Sequence, residues 1–202
     1  MLHSATTHLS GADVVLGRVI QRVGRCALRV NRKCEPFEAL VRSVTYQQLN
    51  GTAAATIHGR VLALFPNRSP SPQQVLDMPI EKMRGAGLSA AKTAAIRDIA
   101  AKAREKIVPT RREALRMSDA ELVERLTTIR GVGPWTVEML LIFSLGRRDV
   151  LPATDYGVRK GFSLAYGFKD LPRPSELTEH GERWRPYRSI ASWYLWRILD
   201  QP

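Results

Sequence analysis

Apolar residues recur at helical spacing along most of this chain. Phe37, Leu40, Val41, Val44 and Leu49 mark one stretch, and Val61, Leu62, Leu64 and Phe65 close a second after Gly51, which together predict a helical pair. Pro66, Pro70 and Pro72 interrupt the pattern as a loop. Ser71 followed by Pro72 reads as a cap with proline in the first turn, opening a short helix to about Met78. Residues 79–84, the turn Gly85-Ala86-Gly87 and an alanine-rich stretch over 89–106, with Ser89 as its N-cap, predict a short helix, a turn and a longer helix. After Pro109, Ser118 and Glu121 are spaced as a capping box and start a helix through Leu122, Val123 and Leu126. That helix runs into Ile129-Arg130-Gly131-Val132-Gly133-Pro134, and Pro134 suits the first turn of a further helix over 135–145. The hairpin so formed spans about 118–145. A helix over 155–166, a proline-bearing loop through Pro172 and Pro174, and two helices ending near Leu199 complete the chain. No convincing alternation of strand period occurs, so the fold class is all-α. The N-terminal segment, 1–30, predicts one helix over 12–23 that belongs to the fold.

Composition narrows the partners. Hydrophobic residues are 44% and charged residues 25% of 202, an ordinary globular balance that excludes wholesale disorder and leaves room for one large domain or two lobes. The 31 Lys and Arg against 19 Asp and Glu leave a net charge of +12, which favours nucleic acid as partner over simple basicity. No apolar run is long enough to span a membrane and no secretory signal opens the sequence, so a cytosolic location without membrane attachment is expected. Cys26 and Cys34 are the two thiols and form no CxxC pair, which excludes a four-thiolate zinc site or an iron–sulfur cluster. His3, His8, His58 and His180 are too scattered to suggest a catalytic metal.

The chemistry concentrates in two segments. A helix, a Gly-Val-Gly turn and a second helix leave unpaired amides at the second helix's N-terminus, where a phosphate is held without its sequence being read. A plain turn between antiparallel helices is the alternative; the net charge favours the phosphate. Twenty residues beyond Trp135 comes Leu151-Pro152-Ala153-Thr154-Asp155-Tyr156. Asp155 reads as a helix N-cap and, at the same time, as a candidate catalytic carboxylate; Asp149 ranks below it.

With Tyr46-Gln47-Gln48-Leu49 and Arg183-Trp184-Arg185-Pro186-Tyr187-Arg188-Ser189, these segments resemble the helix-hairpin-helix (HhH-GPD) superfamily of base-excision DNA glycosylases. The resemblance covers roughly 37–199 and is strongest to the 3-methyladenine DNA glycosylase II branch, in a compact form without the N-terminal β-rich domain of larger bacterial relatives. It implies a glycosylase domain over 31–202 with two lobes and an active-site cleft between them. It also implies a monomer acting on damaged double-stranded DNA in base excision repair.

By the same resemblance Asp155 is the catalytic aspartate. A carboxylate there stabilises the positive charge that builds on the sugar as the N-glycosidic bond breaks, and orients water. Trp135 stands where strand-cleaving relatives place a lysine, and an indole cannot form a Schiff base, so a monofunctional enzyme is implied. Lys160 does not fall on that position and reads as a phosphate contact or a solvated charge. Trp135 and Trp196 match base-pocket aromatics that attract a cationic alkylpurine, with Tyr46 and Met139 beside them; Met139 departs from relatives that carry tyrosine there. Trp184 and Trp193 read as core. Gln48 falls on the wedge that fills the space left by an extruded base, with Leu49 next to it; a helix end capped by Gln47 and Gln48 with Leu49 in the core is nearly as good a reading. Gly131, Gly133, Thr136 and Arg159 are the further implied DNA contacts, and the hairpin at residues 85–89 resembles an element on the lesion side. The main-chain carbonyls of Thr127, Ile129 and Val132 are implied to hold a structural Na+ or K+, and no other cofactor is required. Excision of another lesion (uracil, hypoxanthine or an oxidised purine) and a non-catalytic DNA-binding module are the competing functions.

Overall fold

A computed structural model describes residues 2–200, and every regular element among them is helical. In chain order the α-helices are α1 (Leu2–Ala12), α2 (Val14–Val23), α3 (Pro36–Tyr46), α4 (Gly51–Leu62), α5 (Pro72–Asp77), α6 (Ile80–Gly85) and α7 (Ala90–Arg104). They continue with α8 (Arg111–Ala114), α9 (Asp119–Leu126), α10 (Pro134–Leu140), α11 (Tyr156–Tyr166), α12 (Pro174–Gly181) and α13 (Arg188–Arg197). A π-turn over Leu141–Leu145 extends α10.

The chain forms two compact units. One, the central unit, is the continuous stretch Asn31–Leu145; the other, the terminal unit, joins the N-terminal segment through Val30 to everything from Gly146 onward. The stretch 31–202, expected as the glycosylase domain, contributes to both units, and residues 1–30 belong to the terminal one. Residues from the first 30 complete the core of the C-terminal helices: Leu9, Leu16 and Val19 are buried with Val158, Phe162, Leu177, Trp184, Tyr194 and Leu195.

Local chemistry explains most helix starts. Ser71 with Gln74, Thr110 with Glu113 and Ser118 with Glu121 form reciprocal capping boxes, and Ser89 caps α7 by accepting from the Lys92 amide. The Thr110–Glu113 spacing was the available sign of α8, which sequence periodicity alone does not reveal. At the N-terminus two helices replace the single one expected over 12–23. Asp13 breaks them apart, because its carboxylate accepts from the amides of Val15 and Leu16 and starts α2 afresh. Leu49 is also displaced from its expected helical face: α3 ends at Tyr46 and Leu49 is 38% exposed.

In the central unit α3, α4, α5, α7, α9 and α10 pack around Leu40, Val44, Val61, Ile96, Ile99, Leu122, Leu126 and Leu140. In the terminal unit α11 and α13 approach closely enough that a Cβ on Gly161 would collide with the Leu195 carbonyl, so glycine is required there by backbone contact.

Candidate functional site

In the terminal unit the loop before α11 ends at Asp155, whose backbone is extended while its Oδ1 accepts from the Val158 amide at 2.8 Å. This is an N-cap, as its sequence position suggests. The same oxygen accepts from the indole Nε1 of Trp196 on α13 at 2.8 Å. Two N–H donors thus fix the carboxylate's orientation. Gly157 makes the pairing sterically feasible, since a Cβ there would lie 2.8 Å from Trp196 Cδ1 and 3.1 Å from Asp155 Oδ1. Trp196, expected as a pocket aromatic, is seen holding the aspartate, a contact with no sequence signal.

The rest of this loop is held by the segment 183–189. Arg188 Nε and Arg185 Nη1 donate to the Asp149 carboxylate at 2.8 and 2.5 Å, and Ser189 Oγ accepts from the Val150 amide at 3.0 Å. Asp149 is thereby engaged in an ion-pair network. Arg159, expected on DNA, donates through Nε to the Pro172 carbonyl at 2.8 Å and so tethers the α11–α12 loop. Lys160 is exposed, with its amine 5.9 Å from the Tyr156 ring centroid.

A third carboxylate of this unit, absent from any motif, is more heavily bonded than either. Asp13 is 6% exposed, and its Oδ2 accepts from Tyr166 Oη at 2.5 Å, His180 Nε2 at 2.9 Å and Trp184 Nε1 at 2.9 Å. Burial alone would raise its pKa; the hydrogen bonds from His180, Tyr166, the Leu16 amide and Trp184 overcome that and hold the carboxyl well below the usual range. Burial, reinforced by Asp13, pushes the Tyr166 hydroxyl up. Trp184 is fully buried, as expected of a core tryptophan, and Trp193 is half-buried against Tyr194.

In the central unit the expected hairpin is α9, a turn and α10. Gly131 has φ +74, and a Cβ there would lie 2.7 Å from the Ala95 Cβ, so the turn needs glycine for both conformation and space. Its carbonyl accepts from Gln47 Nε2 at 2.9 Å, and the neighbouring Arg130 amide donates to Asp98 at 2.8 Å. Gly133 is the N-cap of α10, with Pro134 in the first turn and Trp135 following, half-buried; Met139 lies one turn along the same face. Thr136, expected on DNA, is 1% exposed and its hydroxyl accepts from Gln47 Nε2 at 3.0 Å. Its side chain is an internal brace for the hairpin and is unavailable to a phosphate. Among the expected cation ligands, the Ile129 carbonyl accepts from the Val132 amide at 3.1 Å, and Thr127 is the C-cap of α9.

Tyr46 ends α3 with the Arg42 guanidinium 4.3 Å over its ring and His58 edge-on at 6.0 Å. Gln48 and Leu49 follow, both exposed, which removes the reading of Leu49 as core. Gln47, by contrast, is engaged with the hairpin. No helix among the described residues is long and apolar enough to cross a membrane, and no group of three or more His, Cys, Asp or Glu among them is placed to hold a metal ion.

The sequence profile of the HhH-GPD superfamily base excision DNA repair proteins matches residues 41–186. The chain is 42% identical over 200 residues, 97% of its length and 87% of the relative's, to DNA-3-methyladenine glycosylase 1 of Schizosaccharomyces pombe. A solved structure of an S. pombe 3-methyladenine DNA glycosylase in complex with abasic DNA superposes with a TM-score of 0.93 at 42% identity, covering 98% of this chain and 97% of that one. A Bacillus halodurans DNA-3-methyladenine glycosidase superposes with a TM-score of 0.83 at 32% identity, over 98% and 89% of the two chains. With the hairpin, the Asp155 loop and more than half the sequence matched, the chain belongs to the HhH-GPD superfamily of base excision DNA repair proteins.

Proposed function

We propose that the chain is a monofunctional DNA glycosylase that extrudes alkylated purines of the 3-methyladenine and 7-methylguanine type from double-stranded DNA and hydrolyses their N-glycosidic bond. The observation that carries this reading is the Asp155 carboxylate, oriented by the Trp196 indole and the Val158 amide in a chain of a base-excision family. As the base departs, positive charge builds on the sugar; a fixed carboxylate stabilises it and orients the attacking water. An alkylated purine is already cationic, which weakens its bond to the sugar and favours the electron-rich face of Trp135. Met139 and Tyr46 are the neighbouring pocket residues in this reading. Trp135 offers no amine, so no Schiff base forms and the strand stays intact.

Gln48, with Leu49 beside it, is the wedge, and the exposure of both supports that role. The amides of Gly131 and Gly133 take a phosphate of the backbone. The main-chain carbonyls of Thr127, Ile129 and Val132 lie at and beyond the C-terminus of α9, where neutral oxygens and the helix dipole suit a monovalent cation such as Na+ or K+, which would stiffen the turn without entering the chemistry.

The test is base release from a methylated duplex by wild type and Asp155→Asn, with the strand examined before and after alkali and with a borohydride trap. Free alkylpurine, breaks only after alkali, no trapped adduct and a collapsed rate in the variant are expected. Tight binding without base release would turn the assignment toward other lesions and then toward a binding module.

A further inference from the structure

Tyr46, Gln47, Gln48 and Leu49 form a reverse turn in which the Leu49 amide donates to the Tyr46 carbonyl at 3.3 Å. Gln47 has φ −51 and ψ 133, and Gln48 has φ 55. These are the angles of a type II turn, whose third residue occupies the left-handed region and is usually glycine or asparagine. A type I turn, which glutamine accepts readily, differs chiefly in the direction of the central peptide, that is, of the Gln47 carbonyl. Keeping glutamine in the type II form requires a contact on that oxygen.

Lys92 supplies it. Its Nζ donates to the Gln47 carbonyl at 2.7 Å and to the Thr45 carbonyl at 2.8 Å. Lys92 lies in the first turn of α7, where a cation opposes the helix's own dipole, and burial pushes its pKa down. Both costs make sense at the carbonyl end of α3, which a cation stabilises. Gln47 adds the second anchor through its side-chain bonds to Gly131 and Thr136. The turn is thus held on two sides while Gln48 remains exposed.

We propose that Lys92 is a positioning residue that locks this turn in its type II form, so that Gln48 is already aimed at the space an extruded base leaves. The proposal rests on the glycosylase reading with Gln48 as wedge. Orientation set during folding is not paid for again when DNA binds.

Single-turnover excision from two duplexes tests it, one with the alkylpurine normally paired and one with it opposite a mismatch, where less unpairing is needed. Lys92→Met is expected to slow the paired substrate by on the order of tenfold and the mismatched one far less. Equal slowing of both, or none, overturns the proposal. In a Gln48→Gly background, where the left-handed conformation costs nothing, Lys92→Met should add no further loss; additive losses overturn it. Should Lys92→Met fail to unfold cooperatively, Lys92→Gln, which keeps one donor, carries the same comparison. Fluorescence of 2-aminopurine beside an abasic site reads wedge entry without base release. Wild type should perturb it, Gln48→Ala should not, and Lys92→Met should do so weakly; a wild-type response from Lys92→Met overturns the proposal. If wild type releases no base, the glycosylase reading fails while this signal still decides the role of Lys92.

Discussion

Trp196 Nε1 donates to Asp155 Oδ1 across 41 residues of sequence, joining the aspartate to an aromatic of α13. The donor can be removed without removing the ring. Trp196→Phe keeps an aromatic ring and loses the donor, and should slow excision by about tenfold through misorientation of the carboxylate. Asp155→Asn retains a competent N-cap and should lose about 10²–10⁴-fold in rate with the fold intact. Single-turnover kinetics alongside thermal unfolding distinguish these outcomes.

Gly157→Ala probes the same pair without altering either member. The new Cβ would sit 2.8 Å from Trp196 Cδ1, and the rigid indole has to move. Helix propensity alone would add about 0.5–1 kcal/mol of stability. Activity is therefore expected to fall with little loss in melting temperature, and a fully active variant would show that the pairing is dispensable.

The hairpin makes a different prediction, because Gly131 serves conformation and packing together. Gly131→Ala has to hold φ +74 and displace the Ala95 methyl, at a cost of about 1–3 kcal/mol. Chemical denaturation should register that loss, and fluorescence anisotropy should show weaker binding to abasic duplex if, as proposed, the amides of this turn take a phosphate.

Asp13 should control stability at low pH. A carboxyl whose folded pKa lies below its unfolded value contributes fully above the unfolded value near 3.9, and that contribution fades as pH falls toward the folded one. Wild type should lose stability progressively below about pH 4. Asp13→Asn should cost about 3–5 kcal/mol at neutral pH, because the charge is lost and either the Val15 and Leu16 amides or Tyr166, His180 and Trp184 then face an NH2 group, and should flatten the acid limb of the stability profile. Urea unfolding at a series of pH values measures both.

The net charge of +12 predicts that DNA affinity falls steeply with salt. A slope of log affinity against log salt steeper than about −4 is expected if several phosphates are neutralised. A flat titration would count against DNA as the partner.

What sequence reading captured follows the reach of the signals. Capping boxes act over three residues, so the Ser118–Glu121 box is observed with the Ser118 amide 2.6 Å from the Glu121 carboxylate, and Asp155 is the N-cap its position suggested. Partners distant in sequence leave no periodic trace. Nothing in the order of residues joins Asp13 to Trp184, Lys92 to the carbonyl of Gln47, or Trp196 to Asp155. Thr136 is the converse case: resemblance implied a DNA contact there, and only the fold shows its hydroxyl taken up inside by Gln47. Which stretches make up each of the two units was equally hidden, because the helical period of α1 and α2 does not say which distant helices bury them.

That split sets an order of events during synthesis. Asn31–Leu145 is continuous and can acquire its core as it leaves the ribosome, whereas Asp13 emerges 153 residues ahead of Tyr166 and 171 ahead of Trp184. Until those partners arrive, α1 and α2 have only each other within their own unit. The first helices made are therefore the last to be secured, and nascent chains arrested before residue 166 should be the species most dependent on chaperones.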